Sequence, residues 1–228
     1  MRGTRKTAVA VPLAAVLSAA LGAAGCAPSH AGRTVGRGTL QLEGALGGPL
    51  LRNLGPALPV PNLPVGARWG ATDRVDLSLH TNPLPLIVGG FATLDAGATW
   101  ALLGQDGGRG LEMAASTGML LVTDFQTDAR IAPLVDFAAG WALEHVRPFA
   151  GVQLAADLWG GGLMINPHLG AEFEMGRRAA LSLTGVWFHA GFDTADSTVE
   201  WVSPGGRGAL GLLVGLKLRF ETRGGEGD

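Results

Sequence analysis

Cysteine occurs once in this chain of 228 residues, at Cys26. A lone cysteine closes no internal disulfide, so nothing covalent staples the fold. Lysine is nearly as scarce: Lys6 lies near the N-terminus and Lys217 is the only other. No basic run occurs, which argues against a nucleic-acid partner. There is no phosphate loop, no dinucleotide fingerprint between a strand and a helix, and no His/Cys cluster at metal-ligand spacing, so neither cofactor nor metal is expected. After the first 25 residues no second long apolar helical pattern appears. What remains is glycine in abundance and a persistent two-residue rhythm.

The N-terminus has its own logic. Arg2, Arg5 and Lys6 precede an alanine-rich apolar run over residues 8–24, interrupted by Pro12. This predicts an export signal over residues 1–25. A transmembrane helix needs about 20 strongly apolar residues, which this run does not supply. Ala23-Ala24-Gly25-Cys26 resembles the lipobox of bacterial lipoproteins, with Ala23 where that family usually has Leu. The resemblance implies that Cys26 is acylated and becomes the first mature residue. Ala27 then implies no inner-membrane retention. An ordinary cleavage site near Ala24 is the other reading. Loss of three basic residues leaves fourteen against nineteen acidic ones, a net charge near −5. The expected organisation is a signal over 1–25, a lipidated linker over 26–38, one β-domain over 39–220 and a polar tail over 221–228.

Ten segments alternate apolar and small or polar residues, near 39–47, 65–70, 75–80, 94–102, 111–121, 135–144, 151–158, 168–175, 181–184 and 210–220. Period-two alternation marks strands with one apolar face. The rhythm blurs around 84–93 and 185–190. The connections alternate in length: short turns at 70–73, 104–109, 144–147 and 176–178, longer links near 48–61, 82–88, 123–130, 159–163 and 192–207. The prediction is an all-β, closed, antiparallel up-and-down transmembrane barrel of about ten strands. A soluble barrel needs a coat of charged residues. Here the second face is mostly Gly, Ala, Ser and Thr with scattered charges, which suits a narrow lumen. Trp69, Trp100, Trp141, Phe173 and Phe220 share the apolar parity and sit near the same end of their strands, as in an aromatic girdle.

The stretch 212–220, LLVGLKLRF, resembles the β-signal of outer-membrane proteins: an alternating last strand closing on an aromatic, here Phe220, though eight residues follow. The whole pattern is similar to small bacterial outer-membrane β-barrel proteins. That resemblance implies an outer-membrane location with both termini periplasmic. Lipid and the barrel-assembly machinery are then the implied partners.

Charges on the lumen parity form the candidate site. Glu43, Asp76, Asp95, Glu112, Asp136, Asp157, Glu172 and Glu174 oppose Arg68, Lys217 and Arg219, with His80 and His168 of the same parity. Closure puts the last strand beside the first, so Lys217 and Arg219 are expected to meet Glu43. Such pairing predicts a side-chain-filled lumen in a barrel with a structural or surface-interacting role. The alternative is a narrow pore for small solutes or ions. A third reading is a rim hydrolase: the strand number resembles that of the omptin proteases, and His80, His189 and Asp193 are the candidate rim groups. No Asp-x-Asp or Asp-x-His pair is present, and His189 lacks the following Ser of lipid A deacylases, so no catalytic residue is assigned. Asp193, Asp196 and Glu200 read as a solvated acidic loop, and the proline-rich residues 56–64 as an extended loop or strand lead-in.

Overall fold

Alternating side chains commit a strand to two unlike surroundings. In the last strand Leu210, Leu212, Val214, Leu216, Leu218 and Phe220 are exposed, whereas Ala209, Gly211, Leu213 and Gly215 are buried. The structure, a computed structural model, describes residues 31–52, 55–104, 109–125, 129–156, 162–195, 197 and 199–221. The signal segment, Cys26, Asp157, Asp196 and residues 222–228 lie outside the described residues.

In chain order the strands are β1 (Thr39–Leu51), β2 (Leu58–Pro59), β3 (Val65–Gly70), β4 (Val75–Thr81), β5 (Ala92–Leu103), β6 (Gly110–Thr123), β7 (Ala129–Ala142), β8 (Val146–Ala156), β9 (Leu163–Glu174), β10 (Ala179–Asp193) and β11 (Arg207–Glu221). The two-residue β2 only lengthens a hairpin on β1. The other ten form the wall. Each pairs antiparallel with its sequence neighbour, and β11 returns to β1 in register from Thr39↔Glu221 to Pro49↔Gly211. The result is a closed ten-stranded up-and-down barrel, as the alternation predicts. Closure removes the unpaired edges that an open sheet would leave. The start of β1, the end of β11 and the short turns share one end, here the terminal end. The longer connections share the other, the loop end.

Both blurred stretches have local causes. After β4 the chain forms α1 (Pro83–Gly89) rather than strand. Asn82 caps it, its side chain accepting from the Leu84 N–H; proline opens the first turn, and Gly90 ends the helix at φ 72°. These are standard start and stop signals. β10 carries a register shift between Phe188 and Asp193, and His189 there has φ 51°. The proline-rich segment is a strand lead-in: Leu58 and Pro59 pair with Leu51 and Leu50, and Asn62 bridges to Gly47. Among the described residues no helix is long and apolar enough to cross a membrane.

The lumen is not uniformly small and polar, which corrects the sequence reading. Toward the loop end it holds two apolar clusters: Val186, Phe188 and Leu213 with Ala45, and Leu120, Leu134 and Ala155 with Val122, Ala132 and Met164. These residues have lumen parity, so apolar type alone did not reveal their side. The charges concentrate toward the terminal end.

Candidate functional site: a charged lumen

Glu172 is the centre of the charged half. It lies on β9, points inward because its neighbours Ala171 and Phe173 take the other face, and is 1% exposed. Four cations converge on it: Arg33 at 2.5 Å, Lys217 at 2.7 Å, Arg219 at 2.9 Å and Arg147 at 3.4 Å. Glu174, two residues on along β9, shares Arg33, Arg147 and Arg219 at 3.4, 3.3 and 3.8 Å. Glu112 on β6 takes the Arg147 Nε at 2.6 Å. Charges removed from water are tolerated only when paired and hydrogen-bonded. Here four strands, β6, β8, β9 and β11, and the N-terminal segment supply the partners.

A second cluster lies beside it. The Glu43 carboxylate is 2.5 Å from the His80 ring and 3.6 Å from Arg68, which also stands 3.9 Å from Asp76. Gln41 joins the two clusters, donating to Glu43 at 2.8 Å and accepting from Arg219 at 3.2 Å. Asp95 is opposite His80 in the β4–β5 ladder. His80 is therefore a lumen residue rather than a rim one. Its ring occupies the space above Gly66, where an added Cβ would come within 2.1 Å of the ring. Farther along, His168 Nε2 is 3.9 Å from Asp136, with Phe149 tilted against the imidazole.

One expected pairing is corrected. Glu43 and Lys217 are indeed partners in the β1–β11 register. The Lys217 ammonium nevertheless bonds Glu172, and Arg219 bonds Glu172 and Gln41. Lys217 has four methylenes, enough reach to turn away from β1, cross Ala180 on β10 and join a carboxylate two strands away on β9. Glu43 is satisfied by His80 and Arg68 instead.

Two participants escaped the sequence reading. The sequence places Arg147 in a turn, but it is the second residue of β8 and is buried. Its parity matches Gly151 and Gln153 on the lumen face, a signal that extending the alternation would have caught. Arg33 carried no such signal. It belongs to residues 31–38, expected as a linker, which instead run across the mouth at the terminal end. Ala31, Gly32 and Thr34 are buried there. Thr34 donates to the Asp73 carbonyl at 3.1 Å, the Val35 N–H to Asp76 at 2.8 Å and the Gly38 N–H to the Gly70 carbonyl at 2.9 Å. Gly32 is essential to this fit: its φ is +79°, and an added Cβ would lie 2.7 Å from the Gly140 nitrogen on β7.

The aromatic set Trp69, Trp100, Trp141, Phe173 and Phe220 is exposed throughout, from 39% to 53%. All five lie within three residues of the terminal-end limit of their strands. The other rim candidates stay apart: His189 stacks on Phe192 with ring centroids 5.1 Å apart, and Asp193 accepts from the Ala195 N–H. Among the described residues no group of three or more His, Cys, Asp or Glu is placed to hold a metal ion.

No protein-family model matches this chain, and no curated protein matches it. Among solved structures it is similar to the NanC porin, at 8% identity and a TM-score of 0.43, covering 78% of this chain and 98% of that one. It is also similar to the N-terminal β-barrel domain of Pseudomonas aeruginosa OprF, at 14% identity and a TM-score of 0.31, covering 81% and 99%. A third likeness is to the anion-selective porin from Comamonas acidovorans, at 14% identity and a TM-score of 0.34, covering 69% of this chain but 49% of that porin. The chain thus spans about half the length of the larger porin. At these identities and scores the likenesses carry no functional assignment.

Proposed function

We propose that this chain is an integral outer-membrane β-barrel with a structural or surface-interacting role and a lumen filled by its own side chains. The carrying observation is the convergence of Arg33, Arg147, Lys217 and Arg219 on Glu172. The outward face supports membrane insertion: a continuous set of exposed Leu, Val, Met, Phe and Trp surrounds a closed wall. Water is a poor solvent for such a coat, whereas hydrocarbon requires this combination of apolar exterior and closed hydrogen bonding. The aromatics at the terminal end fit an interface girdle there.

In this reading both termini are periplasmic and the outer membrane is reached through the signal over residues 1–25. Cys26 carries lipid. It stands five positions before Ala31, a span of at most about 18 Å, short enough to keep an acyl anchor near the mouth. The assembly machinery reads the strand ending at Phe220.

The test combines extraction and conductance. An integral barrel resists carbonate extraction and migrates differently on a gel before and after heating. A filled lumen gives no steady current in a planar bilayer. Steady conduction by the unmodified protein rejects the filled lumen in favour of the narrow pore, and release by carbonate alone rejects the membrane barrel.

A further inference from the structure

One part of the wall is too short for the role just proposed, and this inference rests on that role. β4 has seven residues, whereas its neighbour β5 has twelve. Seven residues advance about 23 Å along a strand, or about 18 Å along the axis at a tilt near 40°, against an apolar band about 25 Å tall. On one side of β4 the gap is bounded by the lead-in to β3, which continues along β1 through the Asn62 bridge and β2. On the other side it is bounded by β5. α1 begins where β4 ends.

Asn82 ties this helix to both boundaries. Its side chain bonds Asn62 and accepts from the Leu63 N–H, and its backbone N–H donates to Thr93 on β5 at 3.1 Å. Pro85 is buried, while Leu86, Ile87 and Val88 are 47%, 76% and 79% exposed. On the outward parity of the adjoining strands Leu79, Thr81 and Leu94 are exposed as well. Neither connection carries charge: residues 53–67 and 83–94 contain no Asp, Glu, Lys or Arg. They contain Pro56, Pro59, Pro61, Pro64, Pro83 and Pro85, each lacking an N–H that hydrocarbon would leave unsatisfied. The Val60 N–H is met by Pro49 and the Gly90 N–H by Leu86.

We propose that α1 is a membrane-embedded piece of the barrel wall, its Leu86–Ile87–Val88 face in contact with lipid acyl chains above the short strand β4. The partner is bilayer hydrocarbon. The helix completes the band where the sheet stops, with its backbone hydrogen-bonded internally and its cap tied to the strands on either side.

Site-directed spin labelling of the mature chain in phosphatidylcholine vesicles tests this. A Cys26→Ser background removes the native thiol. Single changes Leu79→Cys, Leu216→Cys, Ile87→Cys, Val88→Cys and Arg130→Cys are compared for accessibility to oxygen, which enters hydrocarbon, and to a nickel chelate, which stays in water. Leu79→Cys and Leu216→Cys report on the barrel's insertion alone. With those two oxygen-rich and nickel-poor, the inference expects the same at Ile87→Cys and Val88→Cys, several-fold above Arg130→Cys at the loop end. Nickel access at both helix positions equal to that at Arg130→Cys overturns the inference while the membrane barrel stands. Nickel access at Leu216→Cys overturns both.

Discussion

Lys217 stands opposite Glu43 in the closing ladder, yet its Nζ lies 2.7 Å from Glu172 on β9. Backbone register and side-chain partnership are thus set by different rules. Register follows hydrogen bonding between adjacent strands; the long side chain follows the deepest carboxylate within reach. That makes Glu172, rather than the seam, the point on which the charged half depends.

Glu172→Gln is expected to destabilise the barrel by about 3–5 kcal/mol, because four buried or half-buried cations lose their common counter-charge. Arg109→Ala removes an equally close pair, Arg109 to Glu144 at 2.9 Å, but both side chains are more than two-thirds exposed. Its expected cost is about 0–1 kcal/mol. Urea unfolding in detergent micelles compares the two. Equal costs would mean that the lumen network is hydrated like a surface.

Gly32→Leu is expected to displace residues 31–35 from the mouth, since any Cβ there collides with β7 and φ is positive. The strand ladders do not involve Gly32, so the barrel should still show its folded gel mobility. Current through planar bilayers should appear or rise relative to the unmodified protein. A silent bilayer with the segment shown by protease sensitivity to be displaced would place the closure on the remaining side chains.

Val214→Arg puts a charge in the middle of the outward face of β11. At the centre of a bilayer this costs roughly 2–4 kcal/mol. The same substitution on a water-facing strand would cost almost nothing. Folding titrations in lipid vesicles distinguish the cases, and an unchanged midpoint would count against a lipid-facing exterior.

Cys26 is expected to be the acylated first residue of the mature protein. Intact-mass measurement of protein taken from membranes reads the lipid directly, and Cys26→Ser should remove that mass while the barrel still folds. A mature chain beginning elsewhere, without added lipid, would dispose of the anchor alone.

The alternation was sufficient for the barrel. Leu210, Leu212, Val214, Leu216, Leu218 and Phe220 against Gly211, Gly215, Lys217 and Arg219 already separates two faces, and ten such segments with uneven links leave a meander as the simplest closure. Strand rhythm is local, so one chain displays it. The helix after Asn82 was legible only as a break in rhythm, although Asn82, Pro83 and Gly90 carry its capping chemistry. Which carboxylate each lumen cation chooses was not legible, because Arg33, Arg147 and Glu172 are far apart in sequence and meet only when the wall closes. Nor did anything in residues 31–38 announce that they fill a mouth. Their fit depends on the spaces left by Gly70 and Gly140, which exist only once β3 and β7 have been brought to face the same lumen. Period two determined the strands and the faces; the occupants of the interior were decided by curvature and reach, which belong to the tertiary structure.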